Sequence, residues 1–150
     1  MSIQYKTINE LSQMLKNKDI SNKELIQETF NLIDANLNLN AFITLNKDAS
    51  LQKAKELDEN PSLQPLSGIP MAQKDLFCTK DLRTTCGSNM LSNFIPPYSA
   101  TVIKNLENAG CVSVGKTNMD EFAMGSSNET SYYGNVQNPW GDKLVPGGSS

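Results

Sequence analysis

The sequence predicts an α/β protein in which a helical lead-in is followed by part of a mixed-sheet core, incomplete within the chain. Three observations carry this expectation. Apolar residues recur at helical spacing through the first sixty positions. From residue 61 onward, short apolar runs alternate with polar loops and a further helix. The connections between these runs are short, the pattern of helices packed on a sheet. The expected organisation is one domain over 1–150, with 1–60 mainly helical and 61–150 opening the core. There is no internal repeat.

Each element has a local reason. Thr7 is placed to cap a short amphipathic helix through Ile8, Leu11 and Leu15 that ends near Asn17. Ser21-Asn22-Lys23-Glu24 is a capping box, and the helix behind it puts Leu25, Ile26, Phe30 and Ile33 on one face. Asn36 to Asn40 is a breaker-rich turn, Ala41 to Leu45 a short strand, and Ala49 to Glu59 a polar surface helix. Pro65 to Gly68 turns the chain into a strand, Ile69 to Gln73, that runs into Lys74-Asp75. After a polar stretch, Ser99 is expected to cap a helix through Val102, Ile103 and Leu106, closed by Gly110. Cys111 to Gly115 is a buried strand, and Asn118 is expected to open a short helix through Phe122. From Gly125 the chain is almost all Gly, Ser, Asn, Pro and aromatic residues, an unusually long run without structure for a compact domain. The chain therefore reads as a piece of a longer protein.

Composition narrows the function classes. Leu, Ile, Val and Phe fill 35 of 150 positions, enough for a globular core. The net charge is −3 and Arg83 is the sole arginine, so no clustered basic face is available to grip a nucleic acid. With no histidine, serine–histidine and cysteine–histidine mechanisms and imidazole metal sites have no residues to use in this chain, and no metal is expected. Cys78, Cys86 and Cys111 are odd in number and lack C-x-x-C spacing; they read as buried thiols of a reducing compartment. No apolar run approaches the length of a membrane span, and the first residues lack the pattern of a secretory signal. A cytoplasmic protein without membrane contact is the expectation.

Four places can carry chemistry. Lys74 follows a mostly apolar run at a strand end, where α/β proteins put functional groups; there it is either a proton acceptor or a surface cation paired with Asp75. Gly147-Gly148-Ser149-Ser150 lets backbone approach a ligand closely, with a serine as nucleophile, proton relay or phosphate cradle, or else it is a flexible linker. Gly125-Ser126-Ser127, opening a hydroxyl-rich loop, either lines a pocket for a small polar substrate or bonds only to itself. Gly115-Lys116-Thr117 lacks the upstream glycine of a phosphate loop and reads as a strand-to-helix turn.

Together these segments resemble one family. Leu66-Ser67-Gly68-Ile69-Pro70-Met71-Ala72-Gln73-Lys74-Asp75 is similar to the G-[IV]-P-x-x-x-K-D segment of the amidase signature family, although Gln73 stands where an aliphatic residue is common. Thr84-Thr85-Cys86-Gly87-Ser88 resembles its T-T-x-G-S element. Pro139-Trp140 and Pro146-Gly147-Gly148-Ser149-Ser150 look like its N-P-[WF]…P-G-G-S-S-G-G-S stretch, cut short. The run from Gly115 to Ser127 narrows the likeness to the family's A subunits of tRNA-dependent amidotransferases, which serve Glu-tRNA(Gln) and Asp-tRNA(Asn). The likeness is weak before residue 60 and strong after it.

The resemblance implies an amidase-signature core and a serine–serine–lysine triad. Its lysine falls on Lys74 and its middle serine, reached through a cis peptide, on Ser149. The nucleophilic serine would follow a couple of dozen residues beyond Ser150, so 1–150 alone is expected to be inactive. Gly125, Ser126 and Ser127 match the region that approaches the amide substrate. The implied activity is glutamine hydrolysis that supplies ammonia for transamidation. B and C subunits are the implied partners, tRNA is reached through the B subunit, and this chain binds no cofactor. For the partner, ATP and Mg are implied. The alternatives are a stand-alone amidase acting on other small amides, and a catalytically silent scaffold.

Overall fold

The structure is a computed structural model that describes residues 3–149. Among the described residues the order is α1 (Ile8–Asn17), α2 (Asn22–Ala35), β1 (Phe42–Leu45), α3 (Lys47–Glu59), β2 (Pro70–Lys74), α4 (Thr101–Asn108) and β3 (Val112–Thr117), with 3-10 turns at Leu37–Leu39, Asn89–Leu91 and Glu121–Ala123. Two compact units are built from these. One holds the segments through Ala35, Asn46–Met71 and Lys104–Val114; the other holds Asn36–Leu45, Ala72–Ile103 and the chain from Gly115 onward.

The first unit is organised by its helix ends. Thr7 Oγ1 accepts the Glu10 N–H at 3.2 Å while the Glu10 carboxylate accepts the Thr7 N–H at 2.7 Å, a reciprocal cap on α1. Ser21 and Glu24 repeat the device on α2, at 3.1 and 2.9 Å. The Asp58 carboxylate adds a second cap, accepting the N–H groups of Asn22 and Lys23 at 2.8 and 3.0 Å; a negative charge there also suits the positive end of the helix. Lys18 closes α1 in the left-handed region (φ 62°), and Lys18 N–H and Asp19 N–H reach the carbonyls of Leu15 and Met14. Leu11, Leu25 and Ile69 form a core that Leu15, Ile20, Leu32 and Leu66 cover. Leu25, Ile26 and Phe30 of α2, a helix that packs on α3, are fully buried, each contributing about 1.5–3 kcal/mol by removal from water.

The sheet has the order β1-β3-β2. β1 runs antiparallel to β3, pairing Phe42 with Thr117 and Leu45 with Gly115 across a bulge between Phe42 and Thr44. The bonds from Val112 N–H to Ile69 C=O and from Asp75 N–H to Thr117 C=O advance in one direction along both chains, so β2 and β3 are parallel and the sheet is mixed. β3, in the middle, is buried at Val112, Val114, Gly115 and Lys116. A Cβ on Gly115 would stand 2.5 Å from the Thr44 carbonyl oxygen, so only glycine lets β1 approach this closely.

Three local expectations are corrected. The third helix begins at Lys47, two residues before Ala49, with Asp48 favouring its first turn. The fourth helix starts at Thr101, and Ser99 Oγ accepts the Lys80 N–H at 3.0 Å; its closure at Gly110 (φ 99°) holds, with Gly110 and Cys111 N–H groups reaching the Glu107 and Leu106 carbonyls. Among the described residues no α-helix follows Asn118. Its side-chain oxygen accepts the Met119 N–H and the Ser131 hydroxyl, and its amide nitrogen donates to the Asn40 and Gly134 carbonyls. Those bonds draw the chain into a loop, as Asn does when it competes with helical bonding. The three thiols are free, and Cys111 is buried whereas Cys78 and Cys86 are half-buried.

Candidate active site

The second unit brings the C-terminal end of β2 to the glycine-rich tail. β2 is held to β3 through Asp75 N–H to Thr117 C=O at 3.2 Å and Thr117 Oγ1 to Gln73 C=O at 3.3 Å. Strand alternation puts Gln73 in the interior, where its side-chain oxygen accepts the Thr79 hydroxyl at 2.6 Å. Lys74, half-buried, faces the other way, and its Nζ donates to Ser149 Oγ at 2.5 Å. The Gly148–Ser149 peptide bond is cis, and the Ser149 carbonyl accepts the Asp120 N–H at 3.1 Å. A proton can pass directly between an amine and a hydroxyl at this separation.

Lys74 is not the partner of Asp75. Both Asp75 and Lys116 are fully buried, and their charged groups stand 4.0 Å apart. Asp75 Oδ2 accepts the Thr85 N–H at 2.9 Å and the Thr85 hydroxyl at 2.5 Å, whereas Oδ1 has no hydrogen-bond donor and faces the Lys116 ammonium. Lys116 Nζ donates to the Phe77 carbonyl and to the hydroxyls of Thr79 and Thr84, both at 3.1 Å. Three N–H donors thus meet three acceptors. Burial pushes the Asp75 carboxyl up, against the Thr85 donors and the Lys116 charge. Burial pushes the Lys116 amine down, against the attraction of Asp75. The sequence gives no sign of this pair, since Lys116 reads there as part of a turn; the structure puts it inside β3.

The hydroxyl-rich loop lies beside the tail. A Cβ on Gly148 would fall 2.2 Å from the Ser126 carbonyl carbon and 2.5 Å from Ser127 N, so the two backbones touch through a missing side chain. A Cβ on Gly125 would fall 2.4 Å from the Asp120 carboxyl carbon. Asp120, fully buried, accepts the Asn128 N–H at 3.0 Å, the Thr130 N–H at 3.3 Å and the Thr130 hydroxyl at 3.0 Å. Burial would raise its carboxyl, but donors from Asn128, Thr130 and Glu129 outweigh that and hold it below the usual carboxylate range. Sequence reading misses Asp120 too, because local pattern puts it in a helix.

The five singled-out residues therefore fall in one unit. Lys74 and Ser149 are in hydrogen-bond contact, and Gly125, Ser126 and Ser127 lie along Asp120 and Gly148. Gly125 and Ser126 are exposed and Ser127 half-buried. Cys86 is half-buried, and burial pushes its thiol up, which disfavours a thiolate nucleophile. Among the described residues no group of three or more His, Cys, Asp or Glu side chains is placed to hold a metal ion, and no helix is long and apolar enough to cross a membrane.

Comparison with known proteins places the chain among relatives. The chain is 56% identical over 148 residues to the A subunit of glutamyl-tRNA(Gln) amidotransferase from Methylobacillus flagellatus, covering 96% of this chain and 30% of that protein. It is 52% identical over 151 residues to the protein of the same name in Legionella pneumophila, with 99% and 31% covered. Among solved structures, the A subunit of the Thermotoga maritima glutamyl-tRNA(Gln) amidotransferase superposes with a TM-score of 0.80 at 36% identity, over all of this chain and 31% of that one. The peptide amidase of Stenotrophomonas maltophilia gives 0.87 at 29% identity, over 97% and 32%. The chain thus spans about a third of the length of the relatives it matches. The Amidase family profile matches residues 24–150, through both the Lys74 strand and the Ser149 tail, and the chain belongs to the amidase family.

Proposed function

We propose that this chain is part of a glutamine amidohydrolase, the A component of a tRNA-dependent amidotransferase. The observation that carries the reading is the 2.5 Å contact between Lys74 Nζ and Ser149 Oγ beside the loop 125–127. The names of the relatives with 52–56% identity supply the amidotransferase half of it.

In this reading Lys74 takes a proton from Ser149, and Ser149 takes one from a nucleophilic serine supplied by residues beyond 150. That serine's oxygen attacks the side-chain carbonyl of glutamine held along Gly125, Ser126 and Ser127. The relay then returns the proton to the leaving nitrogen, so ammonia departs and an acyl-serine remains. Water attacks that ester by the same relay, releasing glutamate and restoring the serine. A serine–lysine relay does this work without histidine. The ammonia passes to the B and C subunits; ATP and Mg, bound there, would supply the activation of the tRNA-borne carboxylate. Contact with tRNA runs through the B subunit, which accords with the sparse arginine of this chain. The whole operates in the cytoplasm.

Glutaminase activity of the full-length protein, assayed with and without its partner subunits, tests the proposal. Lys74→Ala and Ser149→Ala are each expected to lower kcat by roughly 10²–10⁴-fold, the usual worth of a positioned proton-transfer group. Unchanged turnover in Lys74→Ala overturns the relay. A second reading, a stand-alone amidase on other small amides, is favoured by the likeness to the Stenotrophomonas maltophilia peptide amidase. Turnover of such amides at full rate without partners selects it.

A further inference from the structure

We infer that Asp120 is a positioning residue that ties the loop 125–130 to Ser149, fixing where an amide substrate sits relative to the proton relay. The inference rests on the reading above in one respect, that this loop meets the substrate.

Asp120 works from both of its ends. Its backbone N–H donates to the Ser149 carbonyl at 3.1 Å, while its carboxylate gathers Asn128 N–H, Thr130 N–H and the Thr130 hydroxyl at 3.0 to 3.3 Å. One residue therefore grips the tail and the loop at once. Thr130 carries the link onward, since its hydroxyl also accepts the Glu121 N–H at 3.0 Å. Gly125 fits only because it has no Cβ to strike the carboxylate, and Gly148 only because it has none to strike Ser126. Loop, carboxylate and tail are thus packed with no slack for a side chain at either crossing. The carboxylate is fully buried, and no ion pair to it exists among the described residues, so its charge is met by N–H and O–H donors. That arrangement needs an acceptor at both oxygens. Asparagine has nearly the same size but turns an NH₂ toward one set of donors, leaving donors facing each other.

The test uses the full-length protein with its partners and two readouts. Asp120→Asn is expected to raise KM for glutamine roughly tenfold or more, the scale of a lost hydrogen bond to a charged group, with a smaller change in kcat. A role in folding alone would reduce the active fraction and leave KM unmoved. The second readout is amide hydrogen exchange, which needs no turnover. In Asp120→Asn the amides of residues 128 and 130 and the amide of residue 120 are expected to exchange faster together. Thr130→Val, which removes one donor and keeps the carboxylate, is expected to move both readouts the same way by less, and serves if Asp120→Asn does not fold. An unchanged KM in folded variants overturns the inference, as does faster exchange at 128 and 130 with residue 120 unaffected. If the wild-type protein hydrolyses no glutamine, the functional reading fails separately, and exchange at residue 120 alone decides the tie.

Discussion

Lys116 holds a cation where solvent does not reach, with Asp75 4.0 Å away as its counter-charge. Two buried charges are costly to desolvate, and such a pair persists because removing one partner strands the other. Lys116→Met is therefore expected to destabilise the fold by about 3–5 kcal/mol, measured as a lowered urea midpoint at constant slope. Lys116→Met with Asp75→Asn removes both charges and is expected to recover part of that loss; a double variant no more stable than the single one counts against the pairing. Sequence reading has no access to this. Lysine is rarely buried, so hydropathy ends a strand at such a residue, and only the fold brings Asp75, Phe77, Thr79 and Thr84 around it. Lys74 differs because its segment carries a motif, and the motif points to Ser149 as its companion without any geometry.

At the level of elements, what is readable is whatever is written in neighbouring residues. The capping boxes at Thr7–Glu10 and Ser21–Glu24 use side chains three positions apart, and the structure has both. Thr7→Ala and Ser21→Ala are each expected to cost about 1 kcal/mol. Ser21→Ala is expected to be the milder, because Asp58 continues to hold the first N–H groups of α2; equal losses in thermal melts would show that Asp58 contributes nothing there. Lys18 sits at a left-handed closing position that glycine occupies without strain, so Lys18→Gly is expected to stabilise α1 by about 1 kcal/mol. Asp58 is invisible in the sequence because it caps a helix it does not belong to. The failed helix at Asn118 has the same cause in reverse, since local propensity loses to bonds with Asn40, Ser131 and Gly134, which lie far along the chain.

For the molecule as a whole, acid and exposed apolar surface set the limits of stability. Glu10, Glu24 and Asp120 have carboxyls held below their ordinary range, the two glutamates by the Thr7 and Ser21 caps and Asp120 by its loop donors. A carboxyl lowered in the folded state stabilises the fold fully above its unfolded value, near 4, and this is lost as pH falls through the lower folded value. Asp75 and Glu107 are raised by burial and change in the opposite sense, their penalty easing as pH falls. Loss of structure is thus expected below about pH 4, with amides 128 and 130 released only as pH falls through the lowered Asp120 value, and Asp120→Asn should flatten that step in a pH titration followed by hydrogen exchange.

Surface composition carries the last expectation. In the unit that contains Lys74 and Ser149, Phe122, Met124, Tyr132, Trp140, Leu144 and Val145 are all exposed, Trp140 at 90%. Single exposed apolar side chains are ordinary, but this many along one stretch of loop is the pattern of a surface meant to be covered. β1 and β2 also leave both sheet margins without a further strand among the described residues. Residues 1–150 produced alone are accordingly expected to self-associate with rising concentration and to bind an apolar dye. Light scattering that finds a concentration-independent monomer, with a cooperative melt and no dye uptake, would mean that those side chains tolerate water and that no further chain or partner is needed to cover them.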